Sequence, residues 1–169
     1  MKLGVRGKTW RRVQVEVSFP EGGIGVQTVP LPAPTVDYFG VTTPDQIVAI
    51  AMDYQVAQKM HAASDPDIPP DIINDRVRDI VDLVLIQRHF YADDPTPASL
   101  RAACLDVFDA RAEEAGAIGK TPRLWPPAFV PNATWEKAYP KLAAEVDLTL
   151  GLDETISLVQ EWVAQIGRG

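Results

Sequence analysis

Two apolar-periodic segments within Ala51–Leu85 each carry polar side chains where packing alone would place none. The first holds Asp53, Lys59 and His61, and the second holds Arg76, Arg78, Asp79 and Asp82. Side chains three positions apart on a helix share a face, so Asp79 and Asp82 project together, with Arg76 one turn earlier. A lysine from one helix and an acid–base cluster from the next are what a phosphate and metal site uses: cations for the phosphates, carboxylates for Mg2+ or a proton. The same spacing also suits a solvated helix face laced with ion pairs. His61 follows Lys59 by two positions and so points to a different face; it is given no role. Neither His61 nor His89 has metal-ligand spacing, Cys104 sits at an apolar helical position typical of a core, and no G-x-S-x-G elbow supports a hydrolase.

The elements that must position these residues can be read in order. Thr9–Phe19 alternates, with Val13, Val15, Val17 and Phe19 on one face, and reads as a half-buried strand. Glu21-Gly22-Gly23 is a turn and Ile24–Val29 a second strand, which predicts a hairpin. Pro30, Pro32 and Pro34 argue against regular ladder pairing and mark a linker or edge, and Val36–Val41 could form a third short strand. Thr43-Pro44-Asp45-Gln46 has the chemistry of a helix start, predicting a helix from there to about Ala63 with a break near Met52–Asp53. Asn74 or Asp75 caps the next helix, which runs to about Phe90. Its apolar residues Val77, Ile80, Val81, Val84 and Leu85 cover most of its girth and predict a central position in a bundle. Thr96-Pro97-Ala98-Ser99 opens a further helix that stops at Gly116. The Pro-rich connection from Gly116 to Thr134 holds Trp125 and Phe129, which can lie against the bundle. Trp135–Leu150 and Asp153–Ile166 complete the helices, the latter with a stripe of Ile156, Val159, Val163 and Ile166. The fold class is α+β: a small N-terminal antiparallel hairpin, residues 1–42, followed by a helical domain, residues 43–169, of about five helices.

Composition narrows the function classes. At 169 residues, 46% hydrophobic and 23% charged, the chain suits a globular domain with a real core. No apolar run approaches the roughly 20 residues of a membrane span, and the basic N-terminus lacks the apolar stretch of a secretory signal. A single Cys104 excludes an internal disulfide and a cysteine-based zinc site, which points to a reducing, cytoplasmic compartment. The net charge of −7 argues against wholesale nucleic-acid coating, although Lys2, Arg6, Lys8, Arg11 and Arg12 crowd the first dozen residues and permit a local patch.

The segment Ala57-Gln58-Lys59-Met60-His61-Ala62 has the form A-x-K-x-x-A. Arg76-Val77-Arg78-Asp79-Ile80-Val81-Asp82-Leu83 has the form R-x-K-D-x-x-D-L with arginine in place of lysine. In order and spacing these motifs resemble the C-terminal two-thirds of the nucleotidyltransferase toxins of the AbiEii/AbiGii type, over roughly residues 10–165. The resemblance implies a nucleotidyltransferase-like fold in which residues 1–42 are part of the sheet. It also implies transfer of a nucleotide from an NTP, with Mg2+, onto an acceptor such as tRNA, under restraint by a cognate antitoxin. Lys59 would hold the triphosphate, Asp79 or Asp82 would act near the acceptor or orient the lysine, Arg76 and Arg78 would contact phosphate, and Glu16 would be a metal-side carboxylate. The Gly-Gly helix start and Asp-x-Asp strand of complete members have no counterpart. Gly22-Gly23 belongs to a turn, and Asp65-Pro66-Asp67 to a Pro-rich loop. The chain is therefore expected to be truncated, or to work with a complementary N-terminal half. A catalytically inactive nucleotide- or partner-binding protein and a purely structural domain are the alternatives. The open edge of a short sheet further predicts pairing with a second copy or another polypeptide.

Overall fold

The computed structural model describes residues 2–5, 8–12, 23, 26–34, 43–66, 68 and 71–168. In chain order these form β1 (Lys2–Val5), β2 (Lys8–Arg12), β3 (Thr28–Pro32), β4 (Gln46–Ile50), α1 (Met52–Ala63), α2 (Val77–Phe90), α3 (Ala98–Ala117), α4 (Ala133–Glu145) and α5 (Leu152–Arg168). The α+β class holds, with antiparallel two-stranded pairs ahead of five helices. The strand pairing differs from expectation. Lys8–Arg12 pairs with Lys2–Val5, and Thr28–Pro32 pairs with Gln46–Ile50. The expected strand residues Val13–Phe19, including Glu16, and the expected third strand near Val36–Val41 lie outside the described residues.

The proline-rich segment does join a ladder, and the register explains how. The bonds Ala33 N–H to Asp45 O (3.1 Å) and Ala51 N–H to Gln27 O (2.9 Å) put the odd-numbered residues of β3 at the hydrogen-bonded positions. Val29 faces Ala49 and Leu31 faces Ile47 in that set, whereas Pro30 and Pro32 fall between them opposite Val48 and Gln46. The nitrogen that carries no hydrogen therefore points away from the partner strand, and the ladder loses nothing. The same pairing corrects the helix start at Thr43-Pro44. Ile47, Val48 and Ile50 are β-branched residues with a partner strand available, and the helix begins only at Met52.

The helices follow their apolar patterns closely. α2 buries Val77, Ile80, Val81, Leu83 and Val84 and packs on α1, α4 and α5, so it is the central helix. α5 buries Thr155, Val159, Trp162, Val163 and Ile166. α3 ends at Ala117, one residue beyond Gly116. Gly119 takes the left-handed conformation (φ 71°), its N–H reaches Gly116 O, and Lys120 N–H reaches Ala115 O at 2.8 Å. That is a Schellman stop, which needs a residue without a Cβ at Gly119 rather than at Gly116. Trp125 packs edge-on against Phe108 at 5.4 Å between ring centroids, and Phe129 is buried, so the long connection is ordered by its aromatics. Each fully buried large side chain, such as Trp135, Trp162, Phe108 or Met60, contributes about 1.5–3 kcal/mol of burial free energy. Among the described residues, no helix is long and apolar enough to cross a membrane.

Candidate functional site

The side chain that fixes the α1–α2 seam is Asn74. It is buried, and its amide nitrogen donates to Ala63 O (3.0 Å) and Asp65 O (2.7 Å) while its oxygen accepts from Arg76 N–H (2.9 Å). Its own carbonyl accepts from the Trp135 indole (2.8 Å) and from Asn132 Nδ2 (2.9 Å). The end of α1, the start of α2 and the start of α4 thus share one hydrogen-bonded residue. Removing it would strand several buried polar groups at about 1–3 kcal/mol each. The sequence offered Asn74 only as a possible cap. Its side-chain oxygen does take a backbone N–H at the entry to α2, as a capping residue would, and the residue also braces three elements.

With that seam fixed, Lys59 on α1 meets both acids on α2. Lys59 Nζ lies 2.8 Å from Asp79 Oδ1 and 2.7 Å from Asp82 Oδ2. The side chains of Lys59, Asp79 and Asp82 retain 27%, 14% and 34% of their exposure, so the cluster is half-sheltered yet open to a ligand. Burial alone would lower the Lys59 pKa, but the hydrogen bonds and charges of Asp79 and Asp82 outweigh it and raise the value above 10.5. Lys59 is accordingly a fixed cation at neutral pH. An ammonium has three donors, and the two aspartates leave one for an incoming group.

The cluster borders an open cavity of about 500 Å3, whose walls include Ile50, Gln55, Gln58, Lys59, Arg76 and Asp79. That volume falls in the range of small-ligand pockets. Gln55 is held by a 2.7 Å bond from Nε2 to Ile50 O, which ties β4 to the cavity rim. Arg76 lies on this rim, whereas Arg78 points outward to Glu145 Oε2 at 3.5 Å across α4. Of the residues the sequence singles out, Lys59, Arg76 and Asp79 line this cavity, and Asp82 joins them through its bond to Lys59. Arg78 stands apart, and Glu16 is outside the described residues. Gln55 and Gln58 went unnoticed, since a glutamine on a helix carries no signature beyond polarity.

Glu16, the expected metal-side carboxylate, lies outside the described residues. Asp79 and Asp82 both bond Lys59, and no group of three or more His, Cys, Asp or Glu side chains able to hold a metal ion occurs among the described residues. What the arrangement can do is offer hydrogen-bond donors of Lys59 and Arg76 to an anionic group, with the two cations matched in number by Asp79 and Asp82.

A family model described as Nucleotidyl transferase AbiEii toxin, Type IV TA system, matches residues 2–163. No curated protein sequence matches the chain.

Proposed function

Because the chain belongs to the AbiEii nucleotidyl transferase toxin family, we propose that the Lys59 cavity grips the triphosphate of an NTP whose nucleotide is passed to an acceptor such as tRNA. Membership implies nucleoside triphosphate and metal use in general, and an antitoxin as partner. The observation that supports the reading is the fixed Lys59 ammonium, with Arg76 on the same cavity wall. Lysine serves here as a point charge on phosphate, and arginine as a planar fork. Asp79 and Asp82 set the lysine's position, and either can accept a proton from an acceptor hydroxyl as its oxygen bonds the α-phosphorus of the NTP and pyrophosphate leaves. No step is assigned to a metal, because the described residues do not form its site.

The test is calorimetric titration of the full chain with ATP, GTP, CTP and UTP in buffer containing Mg2+. One nucleotide should bind, and Lys59→Met should weaken it by about tenfold or more while the chain stays folded, with a melting temperature lower by no more than a few degrees. Equal binding by Lys59→Met would end the phosphate role of Lys59, and unfolding of that variant would make Lys59 structural. Transfer of labelled nucleotide onto total tRNA then separates an enzyme from a protein that binds nucleotide without turnover. The assay is repeated with a complementary N-terminal half supplied in trans, where incorporation would identify a split enzyme.

A further inference from the structure

The Lys59 cavity continues beyond Arg76. Gln58 and Arg76 also border a second cavity, of about 260 Å3, whose walls include His61, Asp65, Arg111 and Arg123. The last four in turn border a third cavity, of about 850 Å3, that reaches Lys120 and the segment following α3. Each cavity shares lining residues with the next, so the three lie side by side in a row, hereafter the trough, from Lys59 past α1 to the end of α3.

The middle of this trough is cationic on an acidic chain. Three guanidiniums and one carboxylate, Asp65, line it, whereas the whole protein carries −7. A local excess of cations against the overall charge marks where a polyanion is favoured. Two of the guanidiniums are also held in place. Arg123 ion-pairs with Asp65 Oδ1 at 2.7 Å, donates to His61 O and contacts His61 Nδ1 at 3.1 Å. Arg111 bonds Glu114 Oε2 at 3.3 Å. Forks fixed in this way lose little freedom when they bind a phosphate. Farther along, Ile68, Ile72 and Ile118 present exposed apolar surface beside Lys120. Apolar surface next to cations suits nucleobases, which an inorganic anion would leave unused.

We infer that this trough binds a single-stranded polynucleotide, its phosphates on Arg76, Arg111 and Arg123 and its end at the Lys59 cavity. The inference rests on that cavity being the NTP site. It names where the acceptor strand lies, and it makes Arg111 and Arg123 binding residues.

The experiment is a fluorescence-anisotropy titration of the full chain with a short unstructured ribo-oligonucleotide at several salt concentrations, alongside NTP calorimetry. Arg111→Gln should weaken oligonucleotide binding about threefold and Arg111→Glu more than about tenfold, each with a smaller salt dependence, while NTP affinity stays at the wild-type value. Arg123→Gln should weaken it likewise. If that variant melts early, Arg111 decides. Lys59→Met should lose NTP and keep the oligonucleotide. Wild-type oligonucleotide affinity in both Arg111 variants, or no binding by the wild-type chain, overturns the inference and leaves the NTP reading standing. Loss of NTP binding by the wild-type chain removes the premise, and is scored separately by the calorimetry.

Discussion

Lys59 and His61 stand two residues apart on α1 and meet opposite electrostatic surroundings. Burial works against charge at both. On the α2 side, Asp79 and Asp82 overturn that penalty and keep Lys59 protonated. On the α3 side, His61 packs edge-on against Phe108 at 4.9 Å, and the charges of Arg123 and Arg111 add to the penalty of burial. Its pKa falls from 6.5 to about 4, so the imidazole is neutral at pH 7. At Lys59 the partners' charges and hydrogen bonds reverse what burial would do, whereas at His61 burial is the larger cause and the two guanidiniums reinforce it. One helix thereby presents a fixed cation to one neighbour and a neutral hydrogen-bonding ring to the other.

The largest expected effect lies on the His61 side. Between pH 6.5 and about 4 the unfolded chain takes up a proton that the folded chain refuses, so stability rises with pH across that window. The contribution is fully present above 6.5 and disappears as pH falls toward 4, by up to about 3 kcal/mol. Urea unfolding at a series of pH values measures it. His61→Gln, which cannot titrate, should lose less stability than wild type over the same range, and parallel losses would contradict a neutral His61. A smaller effect follows from Arg123→Gln. Removing this cation should move the His61 pKa upward, toward 6.5, which imidazole proton resonances report directly. Loss of its bonds to His61 and Asp65 should cost about 1–2 kcal/mol.

The two sides also differ in how far the sequence revealed them. Lys59, Asp79 and Asp82 were legible because helical spacing puts the acids one turn apart and the lysine on the adjacent helix, so local periodicity carries the information. α2 and α5 were legible for the same reason. Arg123 was not, because its partner His61 is 62 positions away and the segment between them has no single period to extrapolate. β4 was misread for a related cause. Thr43-Pro44-Asp45-Gln46 satisfies every local rule for a helix start, and only its pairing with a distant proline-containing strand makes it extended. The two prolines misled in turn, because which side of a strand a nitrogen faces depends on a register that composition does not encode. Asn74 shows the same limit at the site itself, being a cap candidate by sequence and a three-way brace through contacts up to 61 residues away.

The smallest effect tests the Lys59 side of the comparison. A double-mutant cycle with Lys59→Met and Asp79→Asn isolates their coupling, with Asp82 left in place. The two side chains retain 27% and 14% exposure, so water screens the pair and the coupling should be about 0.5–1 kcal/mol, falling as salt is added. Because the Lys59 pKa is raised in the folded state, the coupling is fully present below pH 10.5 and is lost as pH rises through the higher folded value. This is the reverse of the His61 dependence, which is lost toward acid. A coupling near zero would mean that Asp79 only stands beside Lys59. A value well above about 2 kcal/mol would mark a dry, closed pair. Either result would remove the contrast, since an accessible phosphate-gripping cation must be held firmly enough to stay in place and loosely enough to take a new partner.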